Sequence, residues 1–334
     1  MKDTKVTLIV VPRERFSYTQ KSLESVYQNT NVPFNLIYVD VNSPPQIKRY
    51  LAQQAKEKDF HLIRVNHFLT PNTARNLALK SVETEYVLFM DNDILVKPGW
   101  LEKLVDCADE TEASIVGPLC LEGDDFNKVH MAGGTYKFKQ HGSKRWMIMR
   151  RPYFRTSLSK VRTNFERQPT QAIEFHCVLV RKDVFTELGL LDEQVMSMGQ
   201  EDDLCLTVLE SGKEIYFEPA SVITYVPPQN LAWSEMPFFY WRWSRALCEV
   251  SVERMSEKWN LSEDGPVMKN YTKFVHAHNY LPEPYVEENY SYLDWILKFD
   301  TKLLIKKVIM RSLKKAVNWQ AKLNSVSLKK SASF

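Results

Sequence analysis

The chain predicts an α/β fold: a Rossmann-type, mostly parallel sheet flanked by helices, with a helical C-terminal extension. Three observations carry this. Strand-like and helix-like runs alternate through the first 122 residues, the pattern of right-handed βαβ units. The run Tyr86-Val87-Leu88-Phe89-Met90 is apolar at every position, as in a strand covered on both faces. The 334 residues are 44% hydrophobic and 25% charged, enough apolar content for a sizeable core in an ordinary globular chain.

Taken in order, strands are expected at Val6–Pro12, Phe34–Val41, Phe60–Val65, Tyr86–Met90 and Ser114–Leu119. Helices are expected between them at Tyr18–Asn29, Pro45–Lys58, Pro71–Val82 and Gly99–Asp109; in the first, Leu23, Val26 and Tyr27 share one face. Residues 123–170 lack clear periodicity and read as loops over the functional edge. Regularity returns with a strand at Ile173–Val180, a helix at Lys182–Leu188 and a helix over Glu201–Glu210 stopped by Gly212. A strand pair at Glu214–Phe217 and Ser221–Val226 closes the block. The domain reading is 1–226 for the α/β unit, in two halves at 1–122 and 123–226. An aromatic-rich helical extension follows at 227–294, then a basic amphipathic tail at 295–334.

Charge and cysteine content narrow the class. Of 44 Lys and Arg and 41 Asp and Glu, the segment Trp295–Phe334 holds ten bases and one acid, Asp300, so the remaining body is mildly acidic. An acidic body without an RNA-binding motif argues against a nucleic-acid partner. Cys107, Cys120, Cys177, Cys205 and Cys248 form no C-x-x-C pair and read as reduced core thiols. No run approaches about 18 consecutive apolar residues, and the first residues lack the apolar stretch of a signal peptide. The expectation is a cytoplasmic protein.

The stretch that carries chemistry ends the fourth strand: Met90-Asp91-Asn92-Asp93. Carboxylates just past a buried parallel strand lie where open α/β sheets bind ligands. Two of them, one residue apart, can share a hard cation such as Mg2+ or Mn2+ that is completed by substrate phosphates. A polar surface turn is the plainer reading of Asp-x-Asp alone.

Five segments together resemble a family-2 glycosyltransferase of the GT-A fold: Val6–Pro12, Leu36–Ser43, Thr73–Ala78, Tyr86–Asp93 and Gly199–Leu204. The resemblance covers roughly residues 5–226. It implies an inverting transfer from a nucleotide-sugar donor, a UDP-sugar, to a hydroxyl of a sugar, glycan or lipid-linked acceptor, as in polysaccharide biosynthesis. By the same resemblance Asp91 and Asp93 bind the metal, Mn2+ or Mg2+, and Asp91 and Asn92 approach the nucleotide. Pro12, Arg13 and Glu14 resemble the nucleoside-lining turn, and Asp40 with Asn42 a nucleotide contact at an exposed strand end. An Asx-turn or helix cap is the other reading of Asp40. Arg75 and Asn76 are placed near the diphosphate. The base should come from Glu201, Asp202 and Asp203, with Asp202 preferred and Glu201 close behind.

Departures from the pattern stand beside the resemblance. The acidic motif lacks its usual spacer before Leu204, and Tyr225 stands where many relatives place a metal-binding His. A third protein ligand is therefore open, and a non-catalytic sugar-nucleotide-binding or scaffold protein on the same fold is the rival reading. His176 reads as a core histidine. Gly133-Gly134 allows close backbone approach or a turn. The aromatics at 233–243 read as core rather than as a sugar-stacking groove. In the tail, Ile305, Val308, Ile309, Leu313, Ala316 and Val317 recur at helical spacing, with Lys302, Lys306, Lys307, Arg311, Lys314, Lys315 and Lys322 opposite. That pattern fits a helix lying on an anionic membrane surface, on the inner face; a helix docked on the body is the equal alternative.

Overall fold

The computed structural model describes residues 4–161, 164–227, 231–279 and 299–331, with side chains omitted for 299–307 and 327–331. The first half alternates as the sequence predicts. Strand β1 (Val6–Val11), helix α1 (Thr19–Asn29), β2 (Asn35–Val41), α2 (Pro45–Lys58), β3 (His61–Val65), α3 (Pro71–Leu79) and β4 (Tyr86–Asp91) follow in order. Pro45 and Pro71 open α2 and α3, where the missing N–H costs no helical hydrogen bond. A short β5 (Ile94–Val96), α4 (Trp100–Thr111) and β6 (Ile115–Glu122) complete this half. Every residue of β1 and β4 is buried, which explains why both are apolar but for Thr7 and the terminal Asp91.

The segment 123–170 corrects the expectation of loops. It holds β7 (Lys128–Met131), a hairpin of β8 (Thr135–His141) and β9 (Lys144–Arg150), and β10 (Gln168–Thr170). The hairpin forms its own two-stranded sheet and is largely solvent-facing, so it lacks the apolar runs that mark the other strands. Then come β11 (Cys177–Arg181), α5 (Asp183–Glu187), α6 (Gln200–Glu210) and β12 (Ile215–Tyr225). The expected strand pair at 214–226 is one strand, whose register shifts between Glu218 and Val222 around Pro219. The strand expected from Ile173 begins only at Cys177.

The main sheet runs β10-β12-β6-β11-β4-β1-β2-β3, with β5 on β12 and β7 on β6. Strands β3, β2, β1 and β4 are parallel, whereas β11 is antiparallel between β4 and β6. Its reversal brings the start of β11 to the same edge as the carboxyl ends of β1, β2, β4 and β6. Tyr225, at the end of β12, reaches that edge too.

The extension is helical where it is described: α7 (Met236–Arg242), α8 (Arg245–Lys258), α9 (Pro266–His278) and α10 (Phe299–Ser331). Residues 280–298, part of the predicted extension and tail, lie outside the described residues, as does Pro228. Phe238, Phe239, Tyr240, Trp241 and Trp243 are all buried in the one main core, as the core reading expects. No described helix is long and apolar enough to cross a membrane. All five cysteines are buried and unpaired with one another.

Candidate active site

The turn after β1 is the hub of the edge. Asn92 holds it from β4: its Oδ1 accepts the Arg13 N–H at 3.1 Å, and its Nδ2 donates to the Arg15 carbonyl at 2.6 Å and to Thr19 Oγ1 at 3.0 Å. Glu235, ahead of α7, accepts the N–H groups of Phe16 and Ser17, both at 2.5 Å. Glu14 is fully buried beneath the turn, bonded by the Tyr225 hydroxyl and by Trp243 Nε1 at 3.0 Å, with His278 Nε2 at 3.7 Å. Burial opposes its ionisation, but Arg13 and His278 hold its carboxyl below the ordinary range. The extension therefore builds the floor of the edge rather than hanging from it.

Asp91 is surrounded by donors. His176 Nδ1 lies 3.0 Å from its Oδ2, Arg75 Nη2 3.4 Å from its Oδ1, and Arg13 Nη1 3.5 Å from its Oδ2. Against the cost of burial, His176, Arg13 and Arg75 hold the Asp91 carboxyl below the ordinary carboxylate range. Arg75 is a buried residue with its guanidinium 3.9 Å from the Phe175 ring centroid, and burial lowers its pKa to about 10. Its neighbour Asn76 turns away: Nδ2 donates to the Leu191 carbonyl at 2.8 Å and to Glu193 at 3.0 Å, fastening α3 to the loop before α6.

Asp93 is the contrast. It is fully buried, and among the described residues neither carboxylate oxygen has a hydrogen bond and the nearest cation is Arg15 Nε at 3.9 Å. Burial lifts its pKa to about 8, Arg15 opposing and Glu14 and Asp91 adding. A buried carboxylate left without donors is costly unless something else supplies positive charge. An oxygen-seeking divalent cation fits that donor set.

Asp40 lies at a strand end as expected, but it is buried, not exposed. It accepts from the Ser43 N–H at 2.8 Å and Ser43 Oγ at 2.9 Å, and pairs with Arg64 across the β2–β3 register. Asn42 follows in the left-handed region at φ 65°, a conformation Asn tolerates better than most residues.

The three acids opening α6 separate cleanly. Asp202 accepts from the hydroxyl of Tyr136 at 2.6 Å and from that of Tyr271. Asp203 accepts from Trp259 Nε1 at 2.8 Å and Lys258 Nζ at 2.9 Å, facing the extension. Glu201 is half-buried, and apart from its own backbone N–H its carboxylate has no hydrogen-bond or ion-pair partner among the described residues. Burial, then Glu174 and Asp202, push its pKa up to about 8. Gly199 precedes the helix at φ 87°, and an added Cβ would stand 3.2 Å from the Tyr271 hydroxyl.

Several residues of this edge escape sequence reasoning: Arg64, His130, Tyr136, Glu174, Tyr271 and the trio Glu235, Trp243 and His278. One donor atom each of His130, Glu174 and His176 lie within 4.8 Å of one another, so imidazole and carboxylate ligands are also at hand here. Gly133 and Gly134 are required by packing, since a Cβ on either would meet Thr170 Oγ1 at 2.8 Å or the Arg150 carbonyl at 2.9 Å. Beside them opens a cavity of about 570 Å³ lined in part by Arg150, Arg151 and Thr170, and Arg151 pairs with Glu174 at 3.1 Å. A second cavity lies at the opposite sheet edge, near Tyr27 and Phe60, remote from these groups.

The chain is similar to several known proteins. The chain is 26% identical over 220 residues to the O-antigen biosynthesis protein RfbC of Myxococcus xanthus, covering 63% of this chain and 16% of that protein. It is 25% identical over 170 residues to the pre-mycofactocin glycosyltransferase of Mycobacterium tuberculosis, covering 50% of this chain and 32% of the relative. A 91-residue stretch is 35% identical to the teichoic acid poly(glycerol phosphate) polymerase of Staphylococcus epidermidis, 27% of this chain and 13% of that protein. The matches thus span a third or less of these relatives. In structure, the chain resembles GalNAc-T7 solved with UDP, GalNAc and Mn2+, with a TM-score of 0.52 and 16% identity over 86% of this chain and 57% of the other. That likeness is one of fold. The model of glycosyl transferase family 2 matches residues 7–189, more than half of the sequence, and the chain belongs to that family.

Proposed function

We propose that this chain moves a hexosyl group from a UDP-sugar to an acceptor hydroxyl with inversion, assisted by Mn2+ or Mg2+. The observation that carries the reading is Asp93, fully buried, with both oxygens free of hydrogen bonds among the described residues, and two residues from Asp91. Asp91 and Asp93 are the residues that would hold the cation, with His176 as the neighbouring imidazole. Bound there, it would neutralise charge on the departing diphosphate as a Lewis acid. Arg13 and Arg75 add fixed positive charge to the same edge.

Glu201 is the base in this reading. Asp202 is occupied by two tyrosine hydroxyls and Asp203 by Lys258 and Trp259, which leaves the Glu201 carboxylate without a side-chain partner among the described residues. Glu201 accepts the acceptor's proton as the acceptor oxygen bonds to the anomeric carbon and the bond to the diphosphate breaks on the opposite face. The carboxylates of Asp202 and Asp203 then serve to fix the start of α6. The names of the O-antigen and teichoic acid relatives favour a glycan or lipid-linked acceptor and a role in polysaccharide biosynthesis. A cytoplasmic enzyme at the inner membrane face fits that role.

The test is UDP release from a panel of UDP-sugars with Mn2+, for the wild type and Glu201→Gln. The expected result is release from one donor that the variant loses while still binding UDP. Unchanged release by Glu201→Gln would remove Glu201 as the base.

A further inference from the structure

Helix α10 has two apolar faces, and among the described residues only one of them is packed against the rest of the fold. Met310, Val317 and Ala321 are buried against α7 and α8, Leu313 packs beside them, and Lys314 Nζ donates to the Asn279 carbonyl at 3.0 Å. On the far side Val308, Trp319, Leu323 and Val326 are 56%, 67%, 50% and 46% exposed. At about 100° per residue these four fall within an arc of about 60°. Arg311, Lys315 and Lys322, all exposed, line one border of that arc. No acidic residue occurs from Thr301 to Phe334.

Scattered exposed apolar residues are ordinary, whereas four large ones on one arc of one helix mark an interaction surface. We propose that this face seats the chain on an anionic lipid bilayer, with α10 lying in the plane of the interface. Trp is the side chain best suited to headgroup depth, and a row of cations beside an apolar stripe matches an anionic leaflet. A second copy of the chain fits less well, because an antiparallel two-fold contact through this face would bring Arg311, Lys315 and Lys322 against their own counterparts.

The test is flotation of the full chain with phosphatidylcholine vesicles and with vesicles that also contain phosphatidylglycerol. It uses no donor, so its outcome is independent of the transfer reaction. The wild type floats with the anionic vesicles only, and added salt releases part of it. Trp319→Ser with Leu323→Ser lowers binding at least tenfold or so, and Lys315→Ser with Lys322→Ser lowers it about fivefold per lysine. These positions are exposed, so each variant keeps the wild-type circular dichroism and melting temperature. Absence of flotation with anionic vesicles overturns the proposal, as does full binding by Trp319→Ser/Leu323→Ser. A dimer in light scattering that this same variant splits would assign the face to self-association instead.

Discussion

His176 lies stacked on Tyr225, with 4.3 Å between ring centroids and 19° between planes. One imidazole nitrogen sits 3.0 Å from Asp91. Tyr225 ends β12 where a histidine is common in the family, and the antiparallel β11 delivers His176 to the same place from another strand. An imidazole thus reaches this place from a neighbouring strand.

That burial has a measurable pH consequence. Burial first, and Arg13 second, lower the His176 pKa to about 4. The group is neutral when folded and takes up a proton on unfolding below its ordinary value near 6.5. Its contribution to stability is full above that value and is lost as pH falls toward 4. Denaturant titrations from pH 7 to pH 4 should show wild-type stability falling, and a His176→Gln variant should fall less steeply across that window.

Glu201 titrates in the opposite sense. Its folded-state pKa, about 8 through burial and then Glu174 and Asp202, lies above the unfolded value. The native state is therefore favoured at low pH and loses that advantage as pH rises through about 8. Glu201→Gln should raise the melting temperature by a few degrees at pH 9 and by much less at pH 5. The same change should cut turnover by roughly 10²–10⁴-fold while UDP affinity stays within about twofold. Equal melting shifts at both pH values would refute the burial argument.

The Asp40–Arg64 pair should behave as a buried ion pair, since the Asp40 side chain has no exposure and that of Arg64 is 20% exposed. Removing Arg64 alone leaves an uncompensated buried carboxylate, which costs about 3 kcal/mol. Arg64→Leu should therefore destabilise the fold more than Arg64→Leu combined with Asp40→Leu. A double-mutant cycle in urea measures the difference, and additive effects would show that the pair is uncoupled.

Gly199 offers a steric test. An Ala there must hold a left-handed φ of 87° and crowd the Tyr271 hydroxyl at 3.2 Å. Gly199→Ala should cost about 1–3 kcal/mol and loosen Tyr271 from Asp202. Thermal melts compared with Tyr271→Phe check this: the two variants should be less than additive in combination.

Much of this was legible in the residues, for identifiable reasons. Strands such as β1 and β4 are covered on both faces and so write nearly continuous apolar runs, and Pro45 and Pro71 announce two helices. The hairpin β8–β9 writes a weaker signal, since one face meets solvent; Tyr136-Lys137-Phe138-Lys139 alternates and Gly142 supplies the turn at φ 58°. Pro219 divides β12 in the sequence without dividing it in space. Asp91 and Asp93 stand out because carboxylates interrupt an apolar run. Their surroundings do not, because Arg64, His176 and Tyr271 reach the edge only through strand pairing, an antiparallel insertion and the packing of a distant helix. Nor does the sequence rank Glu201 above Asp202; the hydroxyls that engage Asp202 come from residues 66 and 69 positions away.

The central claim is that Asp93 is kept without donors because a cation completes it. Isothermal titration of UDP into the wild type and Asp93→Asn, with and without Mn2+, tests it most directly. The account predicts Mn2+-dependent UDP binding by the wild type, at least tenfold tighter than without metal, and loss of that dependence in Asp93→Asn, which folds with unchanged or higher stability. Metal-independent UDP binding, or equal metal dependence in the variant, would contradict it.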